Sequence, residues 1–377
     1  MLFAATLTLQ QAGFSQTQIP AFEYDPTWPK ALPNNWVTGN VGALSVDSED
    51  HIWVAQRPSG TTALGERYGL DGLGDCCFPA PPVMEFDQAG KLLQAWGPIH
   101  DDKGKLLGKQ VWGPFPDIAW PTSEHGIYVD YKGNVWVGSQ NPPSQILKFT
   151  GDGKKFLLRI GAEESKSSND TANLAGPTGI MVDPKTNEVY ITDGYRDRRV
   201  IVFDADTGAY KRHWGAYGKR PPDGPSGGQP IEGKYDPNVR SQQFASVHCV
   251  AQSRDGLLYI CDRVNNRIQV FRTDGTFVKE QVVAPNSGGM GSTFAIGFSP
   301  DERFLYVADG TNKKVWILQR EDLKILGSFG DGGRNGGQIL LAHALAVDSK
   351  GNIYVGESFD NNRVQRFKFI GMRPAAQ

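Results

Sequence analysis

Apolar and polar residues alternate along most of this chain in short runs of period two, the pattern of half-buried strands rather than of helices. The runs are organised in a recurring unit: an apolar strand, a minimal polar turn, and a second strand with an aromatic residue inside it. Six copies read GALSVDSEDHIWVA, HGIYVDYKGNVWVG, TGIMVDPKTNEVYIT, HCVAQSRDGLLYIC, FAIGFSPDERFLYVA and HALAVDSKGNIYVG. Their aligned aromatics are Trp53, Trp136, Tyr190, Tyr259, Tyr306 and Tyr354. Four copies continue into a clear third strand (QILKF, RVIVF, RIQVF, RVQRF), and fourth strands such as LLQAWG, FLLRIG and YKRHWG follow in several. Turns of the DG and GN kind make each unit an antiparallel meander.

Six four-stranded units of about 40–50 residues predict an all-β, six-bladed β-propeller. The last unit weakens after Phe369, and the segment from Ala21 to Gly39 precedes the first. That segment is expected to supply the missing outer strand and close the ring, which removes an exposed edge. The expected organisation is a leader over 1–18, one propeller over 19–371 and a tail over 372–377.

Propeller topology puts inner-strand starts and second-strand ends on one face. The long insertions, 58–82, 98–121, 161–175 and 215–244, fall on that face, whereas the opposite turns DYKG, SRDG and DSKG are minimal. Long loops gathered on one face of a rigid scaffold commonly build a site.

Each inner strand ends on an anchor: Asp47, Asp130, Asp183, Ser253, Ser299 or Asp348. The residues five before these anchors are Gly42, His125, Thr178, His248, Phe294 and His343. Three of the chain's six histidines thus share one position, in units two, four and six. Alternate blades are related by about 120° in a six-fold ring. Three imidazoles would point into the central channel as a metal site with an open position, as in a catalytic zinc centre. Zinc is the expected ion, although imidazole also suits copper, iron or nickel. His51 belongs to a bottom turn, and His100 and His213 to a loop and an outer strand; these read as surface or packing residues.

Four residues past the aligned aromatics stand Arg57, Gln140, Gly194, Arg263, Gly310 and Ser358, with Tyr195 following Gly194. Arg57 and Arg263 are expected to face each other across the mouth, where an arginine pair can clamp a carboxylate. A tyrosine beside a metal can serve as a base.

Composition narrows the classes. Gly 45 and Pro 24 suit many short strands joined by turns. A formal charge of −2 offers no basic field for nucleic acid. The apolar run Leu2–Leu9 is too short to span a bilayer, and no other stretch is long enough. It suits the hydrophobic part of an export signal, with Gly13 and Ser15 before a cut, so a periplasmic or secreted location is expected. Four cysteines are an even number that an oxidising compartment would allow to pair. Cys249 and Cys261 straddle a turn and are placed to form a disulfide or to remain buried thiols, and Cys76 and Cys77 are adjacent in the first top loop. The oligomeric state is open.

The repeat pattern resembles NHL-type propellers. From about Val41 to Phe369, the segments EHGIYVDYKGNVWV, DPKTNEVYITDGY, VHCVAQSRDGLLYICDRVNNRIQVF and LAHALAVDSKGNIYVG resemble peptidyl-α-hydroxyglycine α-amidating lyase. The resemblance implies zinc on His125, His248 and His343, a catalytic tyrosine at Tyr195, and arginines at Arg57 and Arg263. Ala344 stands where the family has an aspartate that helps bind structural calcium, which weakens the case for calcium here. Arg196 stands where the family has a cysteine, and the animal enzyme's peptide substrate is not expected to carry over unchanged. The implied chemistry cleaves the C–N bond of an α-hydroxy amide, giving an amide and an aldehyde or keto acid, from a small-molecule or peptide substrate with a carboxylate. Two other readings compete: a metal-dependent lactonase- or esterase-like hydrolase, and a non-catalytic NHL binding module.

Overall fold

The computed structural model describes residues 17–60, 68–100, 103, 105–106, 118–223, 236–288, 290–359 and 361–375. They form six antiparallel sheets of four strands, a β-propeller. Blade I comprises Asn40–Val46, Ile52–Arg57, Val83–Phe86 and Leu92–Trp96. Blade II comprises Glu124–Val129, Val135–Ser139, Ile146–Phe149 and Phe156–Ile160, and blade III Pro177–Asp183, Glu188–Asp193, Arg199–Asp204 and Tyr210–Trp214. Blade IV comprises Val247–Gln252, Leu258–Asp262, Arg267–Phe271 and Phe277–Val282, and blade V Ala295–Phe298, Phe304–Asp309, Lys314–Gln319 and Ile325–Phe329. Blade VI takes Ala342–Val347, Ile353–Glu357 and Val364–Pro374 from the end of the chain, and Gln18–Asp25 from its beginning.

The N-terminal strand pairs antiparallel with Val364–Pro374, from Gln18 opposite Pro374 to Asp25 opposite Arg366. This is the closure expected from the missing outer strand. The closing strand runs past residue 371, where the propeller was expected to end, because Arg373 and Pro374 still pair with Ile19 and Gln18. The expected leader falls on residues outside those described, apart from Thr17 and Gln18, and Gln18 already opens a strand.

The anchors explain why the units keep one length. Asp130 Oδ1 accepts from the backbone amides of Lys132 and Asn134, and Oδ2 accepts from Trp136 Nε1 at 3.0 Å. Asp348 does the same with Lys350 and Asn352, and its Oδ2 accepts from Tyr354 Oη at 3.1 Å. One carboxylate therefore closes the bottom turn and ties it to the aligned aromatic, a local side-chain turn that replaces backbone bonds. Above the turns, six apolar clusters fill the six seams between neighbouring blades. Among the described residues, no helix is long and apolar enough to cross a membrane.

Candidate functional site

Pairing slips at the upper end of the inner strands. The register shifts between Val41 and Ala43, Glu124 and Ile127, Pro177 and Gly179, Val247 and Cys249, and Ala342 and Ala344. The residues skipped are Gly42, His125 with Gly126, Thr178, His248 and His343. A bulge leaves its extra residue out of the ladder and re-aims the side chain. Here it gathers three histidines from blades II, IV and VI. Their ring centroids are 4.8, 4.9 and 5.1 Å apart, with ring planes inclined at 84°, 76° and 86°. All three are buried, and one nitrogen from each lies within 4.8 Å of the others. Below them a cavity of about 780 Å³ runs between the inner strands to the opposite face.

Each ring is oriented by the next blade. His125 Nδ1 donates to the Thr178 carbonyl at 2.9 Å, and His248 Nδ1 to the Phe294 carbonyl at 2.6 Å. Thr178 and Phe294 hold the same register position as the histidines. His343 Nδ1 is directed at the carbonyls of Val41 and Gly42 in the same sense, but outside hydrogen-bond geometry, and stays without a partner among the described residues. A carbonyl can only accept, so His125 and His248 carry the proton on Nδ1 and present the Nε2 lone pair.

Burial pushes all three imidazoles well below the ordinary histidine value. Their neighbours add to this: His343 and Arg57 act on His125, Arg263 and His125 on His248, and Arg57 and Arg263 on His343. Neutral imidazole is the metal-ligating form. Three converging imidazoles, two of them with carbonyl-held Nδ1 atoms, and suppressed protonation together fit a divalent ion such as zinc. Ala344, beside His343, is a buried methyl packed in the seam between blades VI and I.

The Tyr195 hydroxyl lies 3.1 Å from His125 Nε2 and 3.2 Å from His248 Nε2. It arrives on a tight turn after the second strand of blade III. Gly194 is required there, because a Cβ would stand 1.9 Å from the Val247 carbonyl oxygen. The amides of Gly194 and Tyr195 both donate to the Gly176 carbonyl, at 3.3 and 3.1 Å.

Arg57 is half-buried, and its Nε donates to the Glu124 carbonyl at 2.9 Å while Nη2 donates to Gln140 Oε1 at 3.1 Å. Burial lowers its pKa from the ordinary value, opposed by Tyr195 and Glu124, and it remains a cation. Arg263 is buried, its guanidinium 4.9 Å from the Phe294 ring centre and 5.5 Å from that of Tyr195. Arg57 thus leans on blade II, whereas Arg263 lies against the rings of Tyr195 and Phe294.

The remaining histidines stay apart from this cluster. His51 pairs with Glu85 at 2.7 Å in its bottom turn, and His213 meets Tyr210 Oη at 2.9 Å and Asn169 Oδ1 at 3.0 Å. His100 is buried and lies 2.9 Å from Glu124 Oε1, which also accepts from Trp120 Nε1 at 2.7 Å. Glu124, adjacent to His125 and wholly buried, was not among the residues singled out from sequence. Gln140 was visible only as the counterpart of Arg57 in the second-strand register. Cys249 and Cys261 are direct cross-strand neighbours in blade IV and form a disulfide, as do Cys76 and Cys77.

The family model for the NHL repeat matches residues 244–271 and 340–367, which take in the first three strands of blade IV and the inner strands of blade VI. The chain is 28% identical over 358 residues to peptidyl-glycine alpha-amidating monooxygenase A of Xenopus laevis, covering 90% of this chain and 32% of that protein. It is 28% identical over 207 residues to peptidyl-alpha-hydroxyglycine alpha-amidating lyase 2 of Drosophila melanogaster, covering 52% and 44%. Against NHL repeat-containing protein 3 of Mus musculus it is 25% identical over 350 residues, covering 90% and 82%. Among solved structures, selenomethionine-substituted virginiamycin B lyase from Staphylococcus aureus aligns with a TM-score of 0.47 at 15% identity, over 89% of this chain and 85% of that one. The chain spans a quarter to a third of the length of the first curated relatives it matches. This protein is an NHL-repeat β-propeller that resembles the peptidyl-α-hydroxyglycine α-amidating lyases.

Proposed function

We propose that this propeller is a metal-dependent lyase that cleaves the C–N bond of an α-hydroxy amide bearing a carboxylate. The carrying observation is the Tyr195 hydroxyl, 3.1 and 3.2 Å from two of three convergent histidine Nε2 atoms, with two guanidiniums alongside. A divalent ion held by His125, His248 and His343 would supply Lewis acidity at the substrate hydroxyl. Tyr195 takes the hydroxyl proton. The O–H electron pair becomes the second C–O bond of the carbonyl, the C–N pair leaves on nitrogen, and the proton taken by Tyr195 passes to that nitrogen to complete the amide; no proton or electron is gained or lost overall. Arg57 and Arg263 hold the carboxylate and offset charge developing beside it. Export is part of the same proposal, supported by the pairing of all four cysteines.

The test uses N-benzoyl-α-hydroxyglycine with metal-loaded protein. Replacing any of His125, His248 or His343 with alanine is expected to lower metal content sharply, whereas His51→Ala keeps it. Tyr195→Phe keeps metal and fold and loses about 10²–10⁴ in turnover, the usual cost of removing a positioned general base. Full activity of Tyr195→Phe on a substrate that the histidine variants cannot turn over would overthrow the lyase reading in favour of a hydrolase.

A further inference from the structure

Arg57 and Tyr195 come from different blades, yet one chain of hydrogen bonds joins them. Arg57 is gripped at Nε by the Glu124 carbonyl and at Nη2 by Gln140 Oε1, which leaves Nη1 without a partner among the described residues. The Gln140 amide donates to the Ser123 carbonyl at 3.0 Å, and its own carbonyl accepts from Arg196 Nη2 at 2.9 Å. Arg196 Nη2 also donates to Ser144 Oγ at 2.7 Å, and its Nε pairs with Glu164 Oε1. Ser144 Oγ donates to Glu164 Oε2 at 2.7 Å and accepts from the Gly176 amide at 3.1 Å. The Gly176 carbonyl accepts from the Tyr195 amide at 3.1 Å. Arg196 is the residue after Tyr195, so its ion pair pins the turn that carries the phenol.

We propose that Gln140, braced by Arg196 and Glu164, is the positioning residue that sets Arg57 against Tyr195 and aims the open Nη1 edge at an anionic substrate group. This rests on the lyase reading. A neutral acceptor suits the role. It orients the guanidinium by one hydrogen bond and leaves its charge for the substrate, whereas a carboxylate at the same place would neutralise it.

The experiment uses the full-length, metal-loaded protein and two readouts. Glyoxylate, a small carboxylate, is titrated calorimetrically; kcat and KM are measured for N-benzoyl-α-hydroxyglycine and for its neutral carboxamide. Gln140→Glu keeps an acceptor in place, so it should retain melting temperature and metal content. It should weaken glyoxylate binding and carboxylate turnover by about ten-fold or more, and carboxamide turnover by less than about three-fold. Gln140→Ala and Arg196→Ala should each lower kcat/KM for the carboxylate substrate. The double variant should be no worse than the weaker single within about two-fold, since both loosen the same arginine. Unchanged glyoxylate affinity in both Gln140 variants, equal losses on the two substrates, or multiplicative losses in the double variant would each overturn the proposal. If the parent protein turns over no α-hydroxy amide, the lyase reading falls, and the glyoxylate titration still decides the positioning role. If the parent binds no glyoxylate, the positioning role falls as well.

Discussion

At the scale of single residues, the centre depends on keeping three imidazoles neutral in a small volume. Burial does most of this, and the neighbouring imidazoles together with the cations Arg57 and Arg263 add to it. A depressed folded-state value means that protons compete for Nε2 only well below the ordinary value of 6.5. Equilibrium dialysis against a buffered zinc pool should therefore show full retention at pH 6.5, with release at lower pH. A parent midpoint at or above 6.5 would contradict the burial argument. The register of these histidines was legible because Asp130 and Asp348 tie their bottom turns to the aligned aromatic and Ser253 closes its own turn onto the Leu257 carbonyl, so the count from the anchor is constant. Glu124, Gln140 and Arg196 were not legible as parts of the site, because their decisive contacts cross between blades or between loops distant in sequence.

At the scale of elements, the repeats disclosed the strands and concealed the bulges. A bulge adds no residue that the repeat arithmetic can see when nearly every unit carries one at the same place. The arithmetic therefore identified which side chains share a position but not why they leave the sheet. In blade IV the bulge at His248 sits directly beside the Cys249–Cys261 crosslink. The two features have separate jobs: His248 is aimed by the slip and by the Phe294 carbonyl, and the disulfide restrains the hairpin in the unfolded chain. A Cys249→Ala, Cys261→Ala variant should lose about 2–4 kcal/mol of stability in denaturant titrations, the usual worth of a bridge closing a loop of this order. It should keep its metal. Metal loss in a variant that remains folded would show that the crosslink, rather than the bulge, positions His248.

At the scale of the whole molecule, the three ligands come from alternate blades, so the site is only as well defined as the ring is closed. Closure rests on the pairing of Gln18–Asp25 with Val364–Pro374 and on Ile19 and Phe22 packing into the seam between blades V and VI. The clasp has a polar bolt. Asp25 Oδ2 accepts from Arg366 Nε at 2.9 Å, and Oδ1 accepts from the amide and hydroxyl of Thr27 at 2.9 and 2.8 Å. Burial by itself would raise the carboxyl, but the bonds from Arg366 and Thr27 outweigh it and hold the pKa at about 2 against an ordinary 3.8. A depressed acid contributes stability above its unfolded value and loses it as pH falls through the folded one. The contribution, about 2 kcal/mol for a shift of this size, should thus be complete above pH about 4 and fade toward pH about 2. Asp25→Asn removes the charge and should be less stable than the parent by about that amount at pH 7, with the two converging as the pH approaches about 2. Urea titrations across this range measure the difference. Because His343 sits in the blade that the clasp completes, Asp25→Asn should also release metal at a lower urea concentration than the parent. A constant stability gap from pH 7 to pH 2, or a metal-release midpoint that does not move, would show that the ring is held by its apolar seams alone.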